Sequence, residues 1–224
     1  MSLPRLVATD LDGTLVRSDE TVSPYSRAVL AELDRRGTPV VFVTARPLRW
    51  MEELWADVGA HGLAIVANGA ILYDVHAREI RELRGIEPAA GLEMLAVIAD
   101  AVPGASFAVE TVAGIRLDPD FVEVWPVPAD TPRGPMAEVW VEPAVKVLVR
   151  DLDADPAELR RAVTAAVGDR AVATWSVDHL VEISAVGVTK ATALARLAGD
   201  LGVDAAEVIA FGDMPNDLPM LAWA

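Results

Sequence analysis

Three short apolar runs near the N-terminus share one layout: each is largely β-branched and each stops at polar residues. Arg5-Leu-Val-Ala-Thr9 ends at Asp10-Leu-Asp-Gly-Thr14, Pro39-Val-Val-Phe-Val43 ends at Thr44, and Leu63-Ala-Ile-Val-Ala67 ends at Asn68-Gly69. Continuous apolar runs of this length predict strands buried on both faces, as in a parallel sheet. Between the first two, Ser23-Pro24 offers an N-cap and a proline at the first helical position. Ala28, Val29, Leu30 and Leu33 are expected to face inward, and Gly37 to close that helix. A second helix is expected from about Pro47 to Val58, with Trp50, Leu54 and Trp55 on one side. Strand and helix alternating through short links predict a doubly wound, right-handed parallel sheet with a Rossmann-like core.

After Asn68-Gly69 the pattern becomes mixed and more antiparallel. Residues 70–73 and 79–83 read as a hairpin, 88–102 as a helix, and 106–110 and 121–125 as alternating strands. The segment from Trp125 to Pro135 holds four prolines and reads as a loop. Further strands are expected at 145–149, 171–175 and 180–183, and a helix at 156–167. These segments predict an inserted α+β domain over 76–185, with 1–75 and 186–224 forming the α/β core. The parallel pattern resumes with a helix from about 189 to 201 and the strand Val208-Ile-Ala-Phe211, which ends in Gly212-Asp-Met-Pro-Asn-Asp217.

Composition narrows the functional classes. Of 224 residues, 53% are apolar, enough for a sizeable buried core. No uninterrupted apolar run exceeds about six residues, against the roughly 20 of a membrane helix, and no secretory signal precedes Asp10, so a cytoplasmic protein with no membrane partner is expected. The absence of cysteine excludes disulfides, thiolate metal sites and cysteine nucleophiles. The 34 acidic against 19 basic residues give a net charge of −15, which disfavours nucleic-acid partners. Seventeen of the basic residues are arginine, leaving Lys146 and Lys190 as positions where an ammonium is retained.

Ligands of a doubly wound sheet bind at the carboxyl ends of its strands. There the chain places Asp10 and Asp12, Thr44, and Asp213 with Asn216 and Asp217. Carboxylates gathered at one edge repel one another unless a cation sits among them, and hard oxygen donors point to Mg²⁺. Such a site suits phosphoryl transfer. Of Asp10 and Asp12, one can attack phosphorus while the other protonates the leaving oxygen and later activates water. Thr44 can hold a phosphate oxygen, and Lys190 can neutralise developing charge. His61, His76 and His179 lack metal-ligand spacing; the six tryptophans are mostly core candidates, with lining of a substrate pocket the alternative for Trp125 and Trp140.

Asp10-Leu-Asp-Gly-Thr14 resembles the first signature of the haloacid dehalogenase superfamily of phosphatases. Val41-Phe-Val-Thr44 with Ala45-Arg46 resembles the second, Gly187-Val-Thr-Lys190 the third, and Gly212-Asp-Met-Pro-Asn-Asp217 the fourth. Asn68-Gly69-Ala70 and the large insertion are similar to the Cof-like branch with its C2B cap. The resemblance implies Asp10 as nucleophile and Mg²⁺ ligand, and Asp12 as general acid/base that also binds the metal through its carbonyl. It implies Thr44 and Lys190 as phosphoryl-binding groups, Asp213 and Asp217 as metal-binding residues, and Arg46, Asn68 and Asn216 as substrate contacts. The second signature departs from the family's frequent Thr-Gly-Arg by having Ala45, and the chain ends seven residues after Asp217, where the family continues with further elements. The implied substrate is a small phosphorylated metabolite, foremost a sugar phosphate or a glycosyl-phosphoglycerate, with cofactor phosphates also open. A phosphotransferase or mutase using the same aspartyl-phosphate, and a non-catalytic phosphometabolite-binding protein, remain open at this stage.

Overall fold

The structure is a computed structural model that describes residues 4–224. Backbone contacts divide the chain into two compact units, one ending at Leu83 and resuming over Val188–Ala224, the other spanning Arg84–Gly187.

The first unit is built on a six-stranded sheet. Its strands are β1 (Leu6–Thr9), β2 (Val40–Val43), β3 (Leu63–Val66), β4 (Ile71–Asp74), β5 (Glu79–Leu83) and β11 (Val208–Phe211), in the order β11-β1-β2-β3-β4-β5. β11, β1, β2 and β3 run parallel, and the β4–β5 hairpin adds antiparallel to β3. The hairpin thus extends the parallel sheet, and the expected boundary at 75/76 falls inside this unit. Helices α1 (Pro24–Arg35), α5 (Lys190–Asp200) and α6 (Leu218–Trp223) complete it. Leu6, Ala8, Val41, Val43 and Ile65 from the strands pack with Leu194, Leu197 and Ala198 of α5 and Met220 of α6.

Two expected elements differ. α1 forms where its Ser23 cap and Pro24 place it, with Ser23 Oγ accepting from Ser26 N at 3.0 Å, but it has no fully buried residue. Ala28 lies about 160° around the helix from Leu30 at 100° per turn step, so the apolar set is no single face: Leu30 and Leu33 are half-buried while Ala28 and Val29 meet solvent. The expected helix at 47–58 is instead two 3₁₀ segments, Leu48–Trp50 and Glu52–Asp57. The break between them buries Met51 completely, and Trp55 stacks on Tyr73 at 5.4 Å.

The second unit carries a five-stranded antiparallel sheet of order β7-β6-β8-β10-β9, from β6 (Ser106–Thr111), β7 (Gly114–Leu117), β8 (Ala144–Arg150), β9 (Ala171–Thr174) and β10 (Leu180–Ala185). Helices α2 (Pro88–Ala101), α3 (Met136–Val139) and α4 (Pro156–Val167) accompany it. Val109, Val147, Val149, Val181 and Ile183 form one sheet face and pack with Leu95 and Ile98 of α2 and Leu159 and Val163 of α4. The strand expected at 121–125 is irregular, and β7 takes its place beside β6, because Val112-Ala113-Gly114 turns the chain back at once; Gly114 has φ +119°. Among the described residues no helix is long and apolar enough to cross a membrane.

Candidate active site

β1 keeps its register one residue past its end, where Asp10 N donates to Phe211 O of β11 at 2.9 Å. This holds Asp10 at the carboxyl edge of the sheet with its side chain buried. Lys190 opens α5 directly behind the Thr189 cap, whose Oγ1 accepts from Thr192 N at 3.1 Å. A helix N-terminus is an unfavourable place for a cation, and two carboxylates compensate: Lys190 Nζ donates to Asp10 Oδ1 at 2.5 Å and to Asp217 Oδ1 at 2.6 Å. Burial pushes the Asp10 carboxyl from its ordinary 3.8 up to about 6, with Lys190 opposing the rise and the Asp217 charge adding to it.

Asp217 is completely buried, and its second oxygen accepts from Asp213 N at 3.2 Å and Met214 N at 3.0 Å. It thereby folds the loop after β11 into a tight turn. Gly212 makes this possible, since a Cβ there would lie 2.5 Å from the Asp217 Cβ. Asp213 projects to solvent and accepts from Thr14 Oγ1 at 2.9 Å. Its Oδ2 rests against Gly13, where a Cβ would approach to 2.3 Å and where φ is +81°. Glycine is required at this point by both space and backbone conformation.

Asp10, Asp213 and Asp217 each bring a carboxylate oxygen within 4.8 Å of the others, the one such cluster among the described residues. The donor set fits a hard divalent cation. Asp217 has both oxygens engaged, by Lys190 and by two backbone N–H groups, whereas Asp10 engages one oxygen with Lys190 and Asp213 one with Thr14.

The remaining expected residues come together at the same edge. Thr44 is fully buried and its Oγ1 accepts from Arg46 N at 3.0 Å, leaving its hydroxyl proton to donate elsewhere. Arg46 grips Asp12 rather than open space: Nε donates to Oδ2 at 2.9 Å and Nη2 to Oδ1 at 2.6 Å. The Asp12 carboxylate is half in solvent, so this pair contributes on the order of 1 kcal/mol and acts mainly on orientation. Asn68 adopts a left-handed conformation (φ +58°) and accepts from Asn216 Nδ2 at 3.1 Å, linking the ends of β3 and β11. Asn216 Oδ1 is buried without a partner.

The Thr14–Asp213 bond and the two glycine cradles are not evident from motif spacing alone; Gly next to each aspartate, in Asp12-Gly13 and Gly212-Asp213, is the available signal. Of the two readings open for Trp140, the structure has the core one: it is buried in the second unit, lies over Gly91 and donates from Nε1 to Glu142 O at 2.9 Å. Trp125 is partly exposed. The histidines stay outside the acidic cluster, with His61 Nδ1 accepting from Leu63 N at 3.0 Å.

The family model described as haloacid dehalogenase-like hydrolase matches residues 7–224. The HMP-PP phosphatase of Serratia proteamaculans is 28% identical over 97% of this chain and 80% of its own length. The 5-amino-6-(5-phospho-D-ribitylamino)uracil phosphatase of Bacillus subtilis is 26% identical over 99% of this chain and 84% of its own. A crystal structure of a phosphatase of the haloalkanoate enzyme superfamily from Bacteroides thetaiotaomicron superposes with a TM-score of 0.82, covering 99% of this chain and 82% of that one at 20% identity. With its signatures at the ends of parallel strands and the family model spanning nearly its full length, this chain belongs to the haloacid dehalogenase-like hydrolase family.

Proposed function

We propose that this chain is a Mg²⁺-dependent phosphomonoester hydrolase acting through an aspartyl-phosphate on a small phosphorylated metabolite. The observation that carries the reading is the buried Asp10 carboxylate at the end of β1, held by Lys190 beside Asp213. The phosphatases named above act on small phosphorylated compounds, which supports the substrate class.

Asp10 attacks phosphorus and forms an acyl-phosphate bond as the ester P–O bond breaks. Asp12 gives its proton to the leaving alcohol oxygen. A water then attacks the same phosphorus, passing a proton to Asp12 and releasing inorganic phosphate and free Asp10. Thr44 and Lys190 hold the phosphoryl oxygens, and Lys190 offsets their negative charge in a dry site. Arg46 orients Asp12, while Asn68 and Asn216 contact the substrate. Asp10, Asp213 and the Asp12 carbonyl would hold Mg²⁺, which would supply charge neutralisation at the phosphoryl group. Asp217 serves that set by fixing the Asp213 loop and Lys190. The second unit selects the substrate.

The test is phosphate release from a panel of phosphorylated metabolites with Mg²⁺ or with chelator. We expect Mg²⁺-dependent release from a narrow subset, reduced at least ~10³-fold in Asp10→Asn. Equal activity in Asp10→Asn and wild type would overturn the reading.

A further inference from the structure

Arg150 is the last residue of β8, paired in register with Ser106 of β6 and Leu180 of β10. It is 3% exposed. Buried charges are ordinarily paired, and the two buried lysines obey the rule: Lys146 bonds to Glu182, and Lys190 to Asp10 and Asp217. Arg150 does not. Among the described residues it forms no ion pair. Glu123 is the carboxylate whose charge reaches it, yet Glu123 is engaged by Arg133 Nη2.

The guanidinium is only partly used. Nη1 donates to Val122 O, while Nε is buried with no partner and Nη2 makes no hydrogen bond among the described residues. Tethering the loop after β7 does not account for this charge, because Arg133 Nη1 already donates to Asp118 O, Pro119 O and Phe121 O in that loop. Two rings flank Arg150 Cζ, with centroids at 5.1 Å (Phe121) and 5.9 Å (Trp125). Cation–π attraction offsets part of the desolvation, but it leaves the in-plane N–H groups unmatched. Nε–H and the neighbouring Nη2–H point in parallel, and that edge is the one a carboxylate takes with two bonds.

We propose that Arg150, Phe121 and Trp125 form a binding site, wholly within the second unit, for a small aromatic monocarboxylate distinct from the phosphorylated substrate. The proposal goes beyond the phosphatase reading and does not depend on it. One guanidinium balances one carboxylate charge, whereas a phosphate monoester brings about two into a chain of net charge −15. Phe121 is the inner ring, at 4% exposure, and Trp125 the outer one, at 43%. The Trp125 ring moves aside to admit the ligand and packs on its aromatic body, while Nε and Nη2 bond its two oxygens.

The test is a titration of sodium benzoate into the ¹⁵N-labelled chain at constant ionic strength, following the Arg150 Nε–H resonance. We expect a saturable shift with a Kd on the order of 1 mM, at least fivefold weaker for acetate, which lacks the ring. Arg150→Lys keeps the charge but loses the two-donor edge, and calorimetry should give a benzoate Kd at least fivefold weaker. Trp125→Ala removes a half-exposed ring that the fold can spare, so it decides the matter even where the lysine variant fails to fold. It too should weaken benzoate at least fivefold. No saturable shift up to ~20 mM benzoate, or a Kd within twofold of the parent in either folded variant, overturns the proposal. So does inorganic phosphate that shifts the Arg150 resonance as strongly as benzoate. Failure of phosphate release from every compound would bear on the phosphatase reading alone, since this titration involves no turnover.

Discussion

Asp10 carries the tension between folding and chemistry in its own ionisation. Its carboxyl is raised to about 6 in the folded protein from an ordinary 3.8, chiefly by burial. A raised acid favours folding when protonated, so its contribution is fully present below pH 3.8 and is lost as pH rises through about 6. The difference of about two pH units corresponds to at most ~3 kcal/mol. Asparagine cannot ionise, and Lys190 keeps Asp217 as its partner. In chelator at pH 8, Asp10→Asn should therefore melt several degrees above wild type, with the gap closing by pH 4. Melting curves at both pH values check this, and a gap that is the same at both, or inverted at pH 8, would refute it. The same burial that weakens the fold gives the carboxylate a dry position beside Lys190, where electrostatic stabilisation of a phosphoryl group is strongest.

At the level of elements, legibility followed the strength of the local signal. β1, β2, β3 and β11 were readable because their apolar runs end in polar clusters; α4 and α5 form where helices are expected, and the structure adds that Asp155 and Thr189 cap them. The convergence of the candidate residues at one sheet edge was readable for the same reason, since strand ends converge in a parallel sheet. Its internal bonds were not, because Arg46 reaching Asp12 and Thr14 reaching Asp213 span 34 and 199 positions. Residues 48–57 were misjudged because burying Met51 outweighed helix propensity there. Gly91 gives the element scale a direct test. In mid-helix, Gly→Ala ordinarily adds about 1 kcal/mol of stability. Here a Cβ would fall 1.8 Å from the Trp140 ring, which is itself packed and hydrogen-bonded. Gly91→Ala should instead cost about 1–3 kcal/mol in denaturant unfolding, and Trp140→Leu in the same chain should recover part of it. A stabilised single variant would show that the ring moves freely.

At the scale of the whole molecule, the net charge of −15 works against a phosphorylated substrate before any contact is made. The cations at the site are few: Lys190 is shared between two carboxylates, and Arg46 is paired with Asp12. Neither projects an unbalanced positive field, so long-range repulsion should govern encounter. Added salt shortens that repulsion, the Debye length falling from about 30 Å at 0.01 M to about 8 Å at 0.15 M. Raising KCl over this range at constant free Mg²⁺ should therefore increase kcat/KM for a phosphate monoester about two- to fivefold, while kcat at saturation stays level. A fall in kcat/KM would mean that a local positive potential dominates the approach, as in sites built for electrostatic steering. A rise would place the burden of attraction on short-range bonds and on a bound cation.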